Sequence, residues 1–302
     1  MNMFRYFLYD EKLLDVPMEK EYWKNLHRSL QEAGVVCVPV DKHGKISPDW
    51  EKNLVTGTKA QQTEIEPGQC LMLAMTGQQV TYAKEHFIPV LGLELPGQEQ
   101  LSGVQMLLLG LEDLDVDFLQ KQFQRCLGIP WDILSTPRCL VRELELADLP
   151  ELFALYEKPH VTDYLEPLYV YDEEKIYQQE YIANVYGYFG YGMWLVRHRD
   201  TGELIGRAGV EQRIVGDETQ LELGYVFAPE YWHQGYATEV CTAILEWVHR
   251  HLDFDRVEAM VEPGNEASVR LLLRLGFSDM GTATRDGKKF LHYRMILSDV
   301  GA

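Results

Sequence analysis

The run Leu221-Glu222-Leu223-Gly224-Tyr225-Val226-Phe227 is followed by Pro229-Glu230-Tyr231-Trp232-His233-Gln234-Gly235-Tyr236-Ala237-Thr238-Glu239. Val240, Ile244, Trp247, Val248 and His251 then recur at helical spacing. A strand that ends in a small-residue turn and opens a helix makes an anion site. The N–H groups of the first turn lack partners there, and the helix dipole favours negative charge. Gly235 lets the backbone come close to such an anion. In the strand, Leu221, Leu223, Tyr225 and Phe227 share one face, and Glu222, Gly224 and Val226 share the other. One carboxylate therefore stands just upstream of the turn. Many strand–helix junctions carry a glycine, so this segment alone names no chemistry.

A second strand, Arg256–Val261, leads into Glu262-Pro263-Gly264-Asn265-Glu266-Ala267-Ser268, a helix to Leu275, and Gly276-Phe277. Together these segments resemble the GNAT family of acetyl-CoA-dependent N-acetyltransferases. The family's phosphate motif is Gln/Arg-x-x-Gly-x-Gly/Ala; here it stands as Trp232-His233-Gln234-Gly235-Tyr236-Ala237, with a departure at the first position. That Trp, the following Gly-Tyr-Ala-Thr-Glu, the Asn265-x-x-Ser268 pair, Leu275-Gly276-Phe277 and the earlier Arg142-Glu143-Leu144 are similar to one branch in particular. It contains the ribosomal-protein N-terminal acetyltransferases of the Rim type. The likeness spans roughly residues 136–298.

The resemblance implies a mixed α+β sheet whose central strands splay, with acetyl-CoA as co-substrate, no metal, and transfer to a primary amine in a ternary complex. Backbone around Val226, Phe227 and Ala228 would hold the pantetheine arm. The N–H groups of His233, Gln234, Gly235, Tyr236, Ala237 and Thr238 would hold the pyrophosphate, and Asn265 would meet the arm or cap its helix. Glu222 is the implied base; its other reading is a solvated strand residue. Many relatives supply a Tyr as general acid where this chain has Leu272, so Ser268 is the alternative donor or a plain helix residue. Glu239 reads as structural, because a carboxylate beside a pyrophosphate repels it. Cys241 reads as packing. The acceptor is a small amine or a peptide N-terminus. A module that binds acyl-CoA without turnover is the alternative.

The elements that position these residues fall into two domains, 1–135 and 136–302, parted by Gly128-Ile129-Pro130 and Pro137. In the first, apolar runs at Phe4–Tyr9, Val35–Val40, Cys70–Met75, Ile88–Leu93 and Val104–Leu109 alternate with helical spacing at Glu19–Ala33, Gln78–His86 and Asp117–Cys126. That order predicts a smaller, Rossmann-like α/β domain with a mostly parallel sheet. Its strand–helix–strand order over Cys70–Leu93 is faintly similar to the haloacid-dehalogenase-type phosphatases. Their DxD nucleophile-and-acid pair must close a buried strand. Asp115-Val116-Asp117 opens a helix instead, and Asp10 is followed two residues on by Lys12. In the second domain, Thr136–Asp148 reads as a strand followed by an Asp that can cap a helix, Gly192–His198 and Leu204–Val210 read as strands, and Leu149–Tyr156 reads as a helix. Eight of the chain's 17 tyrosines lie between Tyr164 and Tyr191, as core and rim or as an acceptor lining. Three glycines within Tyr186–Trp194 suggest a mobile edge.

Composition bounds the rest. The chain of 302 residues carries a net charge of −19, and both halves are acidic. Phosphate backbones are repelled, which excludes nucleic acid as a partner. No apolar run approaches the ~18 residues of a membrane span. Met1–Asp15 carries acids rather than a basic leader. The five cysteines are odd in number and contain no CxxC pair, which points to reduced thiols in a cytoplasm. An oligomer is left open.

Overall fold

Residues 4–17, 19–46, 66–112, 114–215 and 218–299 are described by a computed structural model; Met1–Met3 of the acidic N-terminal stretch lie outside them. Contacts divide the chain into two units, Met1–Ile129 and Pro130–Ala302.

In the first unit, short apolar runs buried on both faces make parallel strands, as such runs do when helices cover both sides. The strands are β1 (Tyr6–Asp10), β2 (Val36–Val40), β3 (Cys70–Ala74), β4 (Val90–Leu93) and β5 (Leu107–Leu108), in the order β2-β1-β3-β4-β5 and all parallel. Helix α1 (Glu19–Glu32) buries Trp23, Leu26 and Leu30 with Phe7 and Leu71 in one apolar cluster. Helix α2 (Gly77–Glu85) adds Val80 to a second cluster with Leu8, Val38 and Met72. Helix α3 (Val116–Cys126) closes the unit. The last strand is shorter than the apolar run Val104–Leu109 predicts, because Leu109 is exposed.

The three acids weighed for phosphatase chemistry, Asp10, Asp115 and Asp117, each have partners. Asp10 is buried at the end of β1 and accepts from Lys12 N at 2.8 Å and Gln79 Nε2 at 2.6 Å. Asp115 caps α3 by accepting from Phe118 N at 2.7 Å, and Asp117 pairs with Lys121 at 3.2 Å.

The second unit is built on one eight-stranded sheet. Its elements are β6 (Asp132–Ser135), β7 (Cys139–Arg142), α4 (Leu149–Tyr156), α5 (Tyr171–Glu180), a π-helical turn over Tyr181–Tyr186, and α6 (Gly187–Phe189). Then come β8 (Met193–His198), β9 (Leu204–Val215), β10 (Glu218–Phe227), α7 (Tyr236–His251), β11 (Arg256–Val261), α8 (Glu266–Leu275), β12 (Ser278–Arg285) and β13 (Lys288–Ile296). The order is β12-β13-β11-β10-β9-β8-β7-β6, antiparallel except where β10 meets β11.

Several boundaries differ from the sequence reading. Asp132–Ser135 pairs with β7, so this unit starts at Pro130 and not at 136. The strand in Thr136–Asp148 is Cys139–Arg142, and Asp148 stands at the N-cap of α4 with its side chain on Arg142 at 2.5 Å rather than on the helix's own N–H groups. The β12–β13 hairpin was not assigned from the sequence. Its turn is Asp286-Gly287, both at positive φ, the two-residue signal for a tight hairpin. In the Tyr186–Trp194 segment the two ends are packed while Tyr188 between them is exposed. Tyr186 and Trp194 are fully buried, and Tyr186 Oη donates to Met193 O at 2.6 Å.

One sheet face packs on α7 through Val240, Cys241, Ile244 and Val248, with Trp194 edge-on to Trp247 at 5.1 Å. Glu211 and Glu222 stand on the opposite face, where Tyr181 Oη donates to Glu211 at 2.7 Å.

Candidate active site

Strand β10 pairs with β9 over ten positions, from Glu218↔Val215 to Phe227↔Gly206. It pairs with β11 at one, Glu222↔Glu258. Beyond that pair the two strands part, leaving one edge of β10 open over Leu223–Phe227. The ladder decides which backbone groups face the opening. Ala228 N donates to Ile205 O at 2.8 Å, so alternation turns Ala228 and Val226 toward β9. Tyr225 and Phe227 turn toward the opening. Of the three positions named from the sequence, Phe227 alone faces it, and its carbonyl already accepts from Trp232 Nε1 at 2.7 Å. That bond explains the departing Trp of the motif: its indole ties the loop to the end of β10.

The loop then reaches α7 through two residues with positive φ, His233 at 59° and Gly235 at 82°. Gly235 is the N-cap and has no side chain to offer, so no cap hydrogen bond covers the first turn at Tyr236, Ala237 and Thr238. His233, Gln234 and Gly235 are exposed. A dinucleotide's pyrophosphate suits such a cradle of backbone N–H groups.

Arg138 shapes the loop from a distance in sequence. Its Nε donates to Glu239 Oε2 at 2.7 Å, its Nη1 to Gln234 O at 3.0 Å, and its Cζ lies 3.9 Å from the centre of the Tyr236 ring. A Cβ on Gly235 would lie 3.6 Å from Arg138 Nη2. Burial would raise the Glu239 carboxyl, but hydrogen bonds from Thr136 and Arg138 outweigh it and hold the group below the usual carboxylate range. Glu239 is thus neutralised within the loop's own frame.

Glu222 is half-buried and clamped. Arg285 Nη1 donates to Glu222 Oε1 at 3.1 Å, and Arg285 Nη2 donates to Oε2. Glu258, beside it at the foot of the opening, is fully buried and meets His292 Nε2 at 2.7 Å, Arg294 Nε at 2.8 Å and Arg256 Nε at 3.4 Å. Asn265 caps α8 by accepting from Ser268 N at 3.1 Å. Ser268 O accepts in turn from Tyr225 Oη at 3.4 Å. Burial pushes the Tyr225 hydroxyl well above its ordinary range, so it holds its proton. Leu272 is fully buried in the core. Cys241 is fully buried too, its thiol pushed up by burial, which keeps it from acting as a nucleophile.

Sequence reasoning missed Arg138, Arg285, Tyr225 and Glu258. The Asp286-Gly287 turn signal could have located Arg285 at a strand end. Arg138 and Glu258 carry no local signal. Among the described residues no group of His, Cys, Asp or Glu could hold a metal, and no helix is long and apolar enough to cross a membrane.

A mixed sheet with one parallel junction, opened beyond a single pair and continued into an uncapped helix start, defines the class: a GNAT-type acyltransferase fold. The family described as Acetyltransferase (GNAT) domain matches residues 138–278. The uncharacterized protein YkkB of Bacillus subtilis (strain 168) is 30% identical over 165 residues, 53% of this chain and 93% of its own length. The uncharacterized N-acetyltransferase YoaA of the same organism is 34% identical over 151 residues, 49% of this chain and 84% of its own. Among solved structures, the acetyltransferase from Agrobacterium tumefaciens str. C58 is 26% identical, covers 54% of this chain and 92% of its own, and has a TM-score of 0.46. The chain belongs to the GNAT family of acetyltransferases and is an acyltransferase.

Proposed function

We propose that the second unit, residues 130–302, transfers the acetyl group of acetyl-CoA to a primary amine by direct attack in a ternary complex. The observation that carries this reading is the single Glu222↔Glu258 pair, beyond which β10 leaves an open edge aimed at the uncapped start of α7. Tyr225 and Phe227 backbone groups would take the pantetheine arm as an added strand. The N–H groups from His233 to Thr238 would take the pyrophosphate. The amine's lone pair forms the N–C bond at the thioester carbon, the C–S bond breaks, and the thiolate leaves with that electron pair. Glu222, through water, is the base that removes the ammonium proton. The thiolate is met by a hydroxyl at the other side of the opening, from Ser268 or its neighbour Tyr225. A thiol's ordinary pKa near ~8.5 asks little of that donor. Holding both reactants in place supplies up to ~7–11 kcal/mol of the rate gain in ideal cases. The acceptor is a small amine or a peptide N-terminus.

The clamped Glu222 and the buried Leu272 favour a second reading, a module that binds acyl-CoA without turnover. Calorimetric titration with CoA and a thiol-release assay separate the two. Amine-dependent release of CoA supports the transferase, and binding without release supports the sensor. The five cysteines, none in a disulfide, fit a reducing cytoplasm. We read the first unit, residues 1–129, as an α/β domain without phosphatase chemistry, because Asp10 is held by Gln79 and followed by Lys12. Turnover of a phosphate ester with Mg²⁺, lost in Asp10→Asn, would overturn that reading.

A further inference from the structure

The stretch 229–239, which would meet the pyrophosphate, contains two carboxylates and no Lys or Arg. Each acid takes its counter-charge from outside the stretch. Lys158 meets Glu230 at 3.2 Å, and Arg138 meets Glu239 at 2.7 Å. The two pairs differ in place. The Glu230 side chain is 62% exposed, and that of Glu239 is 18% exposed. Glu239 follows the N-cap Gly235 by four residues, roughly 6 Å of helix, and so lies in the first turn of α7. A bare carboxylate there would compete with a diphosphate for the helix dipole and repel it.

Arg138 reaches this turn from the start of β7. Its backbone is fixed from two sides: its N–H donates to Glu239 Oε1 at 3.0 Å, and its carbonyl accepts from Arg199 N at 2.8 Å. Its guanidinium, always charged, serves Glu239 and Gln234 O together and lies over the Tyr236 ring. That ring is buried and stands edge-on to Tyr231 at 5.2 Å. One planar fork therefore ties an acid, a carbonyl and an aromatic side chain of the same loop.

The hold on Gln234 O also sets a peptide plane. A trans peptide points its C=O and its N–H to opposite sides. With the Gln234 carbonyl on Arg138, the Gly235 N–H faces away from Arg138. Successive N–H groups in a turn make an anion site only while no carbonyl points in among them. His233 and Gly235 both have positive φ, so the backbone on either side of Gln234 is in an unusual conformation that needs fixing. The Gln234 side chain adds a second tie, its Nε2 donating to Glu230 O at 2.5 Å. The chain's net charge of −19 draws no anion from afar, so affinity depends on this local placing.

We propose that Arg138 is a positioning residue for the diphosphate of the co-substrate: it cancels the Glu239 charge and holds the 234–235 peptide so that the loop offers N–H groups to the anion. It touches neither the thioester nor the amine, so it acts on co-substrate binding and leaves the transfer step alone. The inference rests on the acetyl-CoA reading above and adds that the cradle is completed by a residue 96 positions away from Gln234.

The test titrates the full chain with CoA by calorimetry, so it needs no acceptor. Circular dichroism confirms that each variant is folded at the titration temperature. Arg138→Met should weaken CoA binding about tenfold, because it bares a carboxylate within one turn of the anion. Adding Glu239→Gln to that variant should recover about threefold, since the repelling charge is gone and only the hold on the carbonyl is missing. Glu239→Gln alone should bind CoA at least as tightly as the wild type. The deficit of Arg138→Met relative to the wild type should shrink from about 0.1 M to about 1 M salt, as the Debye length falls from about 10 Å to about 3 Å. A residue that merely props up the fold would show neither the recovery nor the salt dependence. Unchanged affinity in Arg138→Met, a double variant no tighter than the single one, or a deficit that salt does not alter overturns the proposal and leaves the acetyl-CoA reading standing. A wild type that does not bind CoA overturns both. Where Arg138→Met does not fold, Arg138→Lys decides: it keeps a charge but cannot hold Glu239 and Gln234 O together, so CoA should bind about threefold more weakly. Equal affinity in that variant overturns the proposal.

Discussion

Glu222 and Glu258 are the one pair of residues that joins β10 to β11, two carboxylates side by side on neighbouring parallel strands. Such a pair holds because each acid has its own partners: the Arg285 guanidinium for Glu222, and the Arg294 and Arg256 guanidinium groups with the His292 ring for Glu258. The foot of the opening is thus an ion network drawn from β11, β12 and β13. The hairpin that the sequence reading omitted is what secures it.

Glu258 is the more structural of the two. Truncating it in Glu258→Ala takes the buried carboxylate away from Arg256, Arg294 and the His292 ring, a change that costs about 3–5 kcal/mol when a buried pair is broken. Thermal melting should show a large fall in Tm. A near-neutral variant would mean that the network does not hold the strands.

Glu222→Gln should lower kcat at least tenfold at neutral pH, within the ~10²–10⁴ range of general acid–base catalysis, and leave acetyl-CoA affinity unchanged. The deficit should shrink at high pH, where the amine is already free. Arg285→Met separates chemistry from scaffolding. It keeps the carboxylate and removes the clamp, so it should retain more activity than Glu222→Gln. Equal losses in the two variants would reduce Glu222 to a strut.

Gly235→Ala should weaken CoA binding by about one order of magnitude while the protein stays folded. The new Cβ would lie at ordinary contact distance from Arg138, so space is not the obstacle. The cost is the backbone: φ of 82° is a left-handed conformation that penalises an L side chain by roughly 1–2 kcal/mol. Relief of that strain tilts the N–H groups of the first turn. Unchanged affinity by calorimetry would count against this loop as the phosphate cradle.

Glu239 should make the second unit acid-sensitive in a defined window. Its folded pKa lies below the ordinary carboxylate value of about 4.3, because Thr136 and Arg138 hold the charged form. The unfolded chain therefore takes up the proton first. The stabilisation is complete above that value and is lost as pH falls through the folded pKa. Melting curves of the wild type and Glu239→Gln should differ most at neutral pH and converge as pH falls through the depressed folded pKa of Glu239. A gap that stays constant with pH would show that the ion pair is not its source.

What could be read in the chain alone was whatever depends on near neighbours. The alternation of Leu221–Phe227, the turn at Gly235, the cap of Asn265 on Ser268 and the buried packing of Cys241 follow from period, spacing and residue type within one or two turns. The family resemblance rested on the same short segments. What tertiary structure decided lies across the sheet. Arg138 reaches Glu239 over 101 residues, and Arg285 reaches Glu222 over 63. No local pattern carries such pairs, because strand order and register choose the partner. Alternation placed Val226 on a face, but only the ladder with β9 showed that its backbone turns away from the opening and that Tyr225 and Phe227 face it. Arg207 is the extreme case. Only the fold buries it beside the Tyr181 ring, with no ion pair among the described residues.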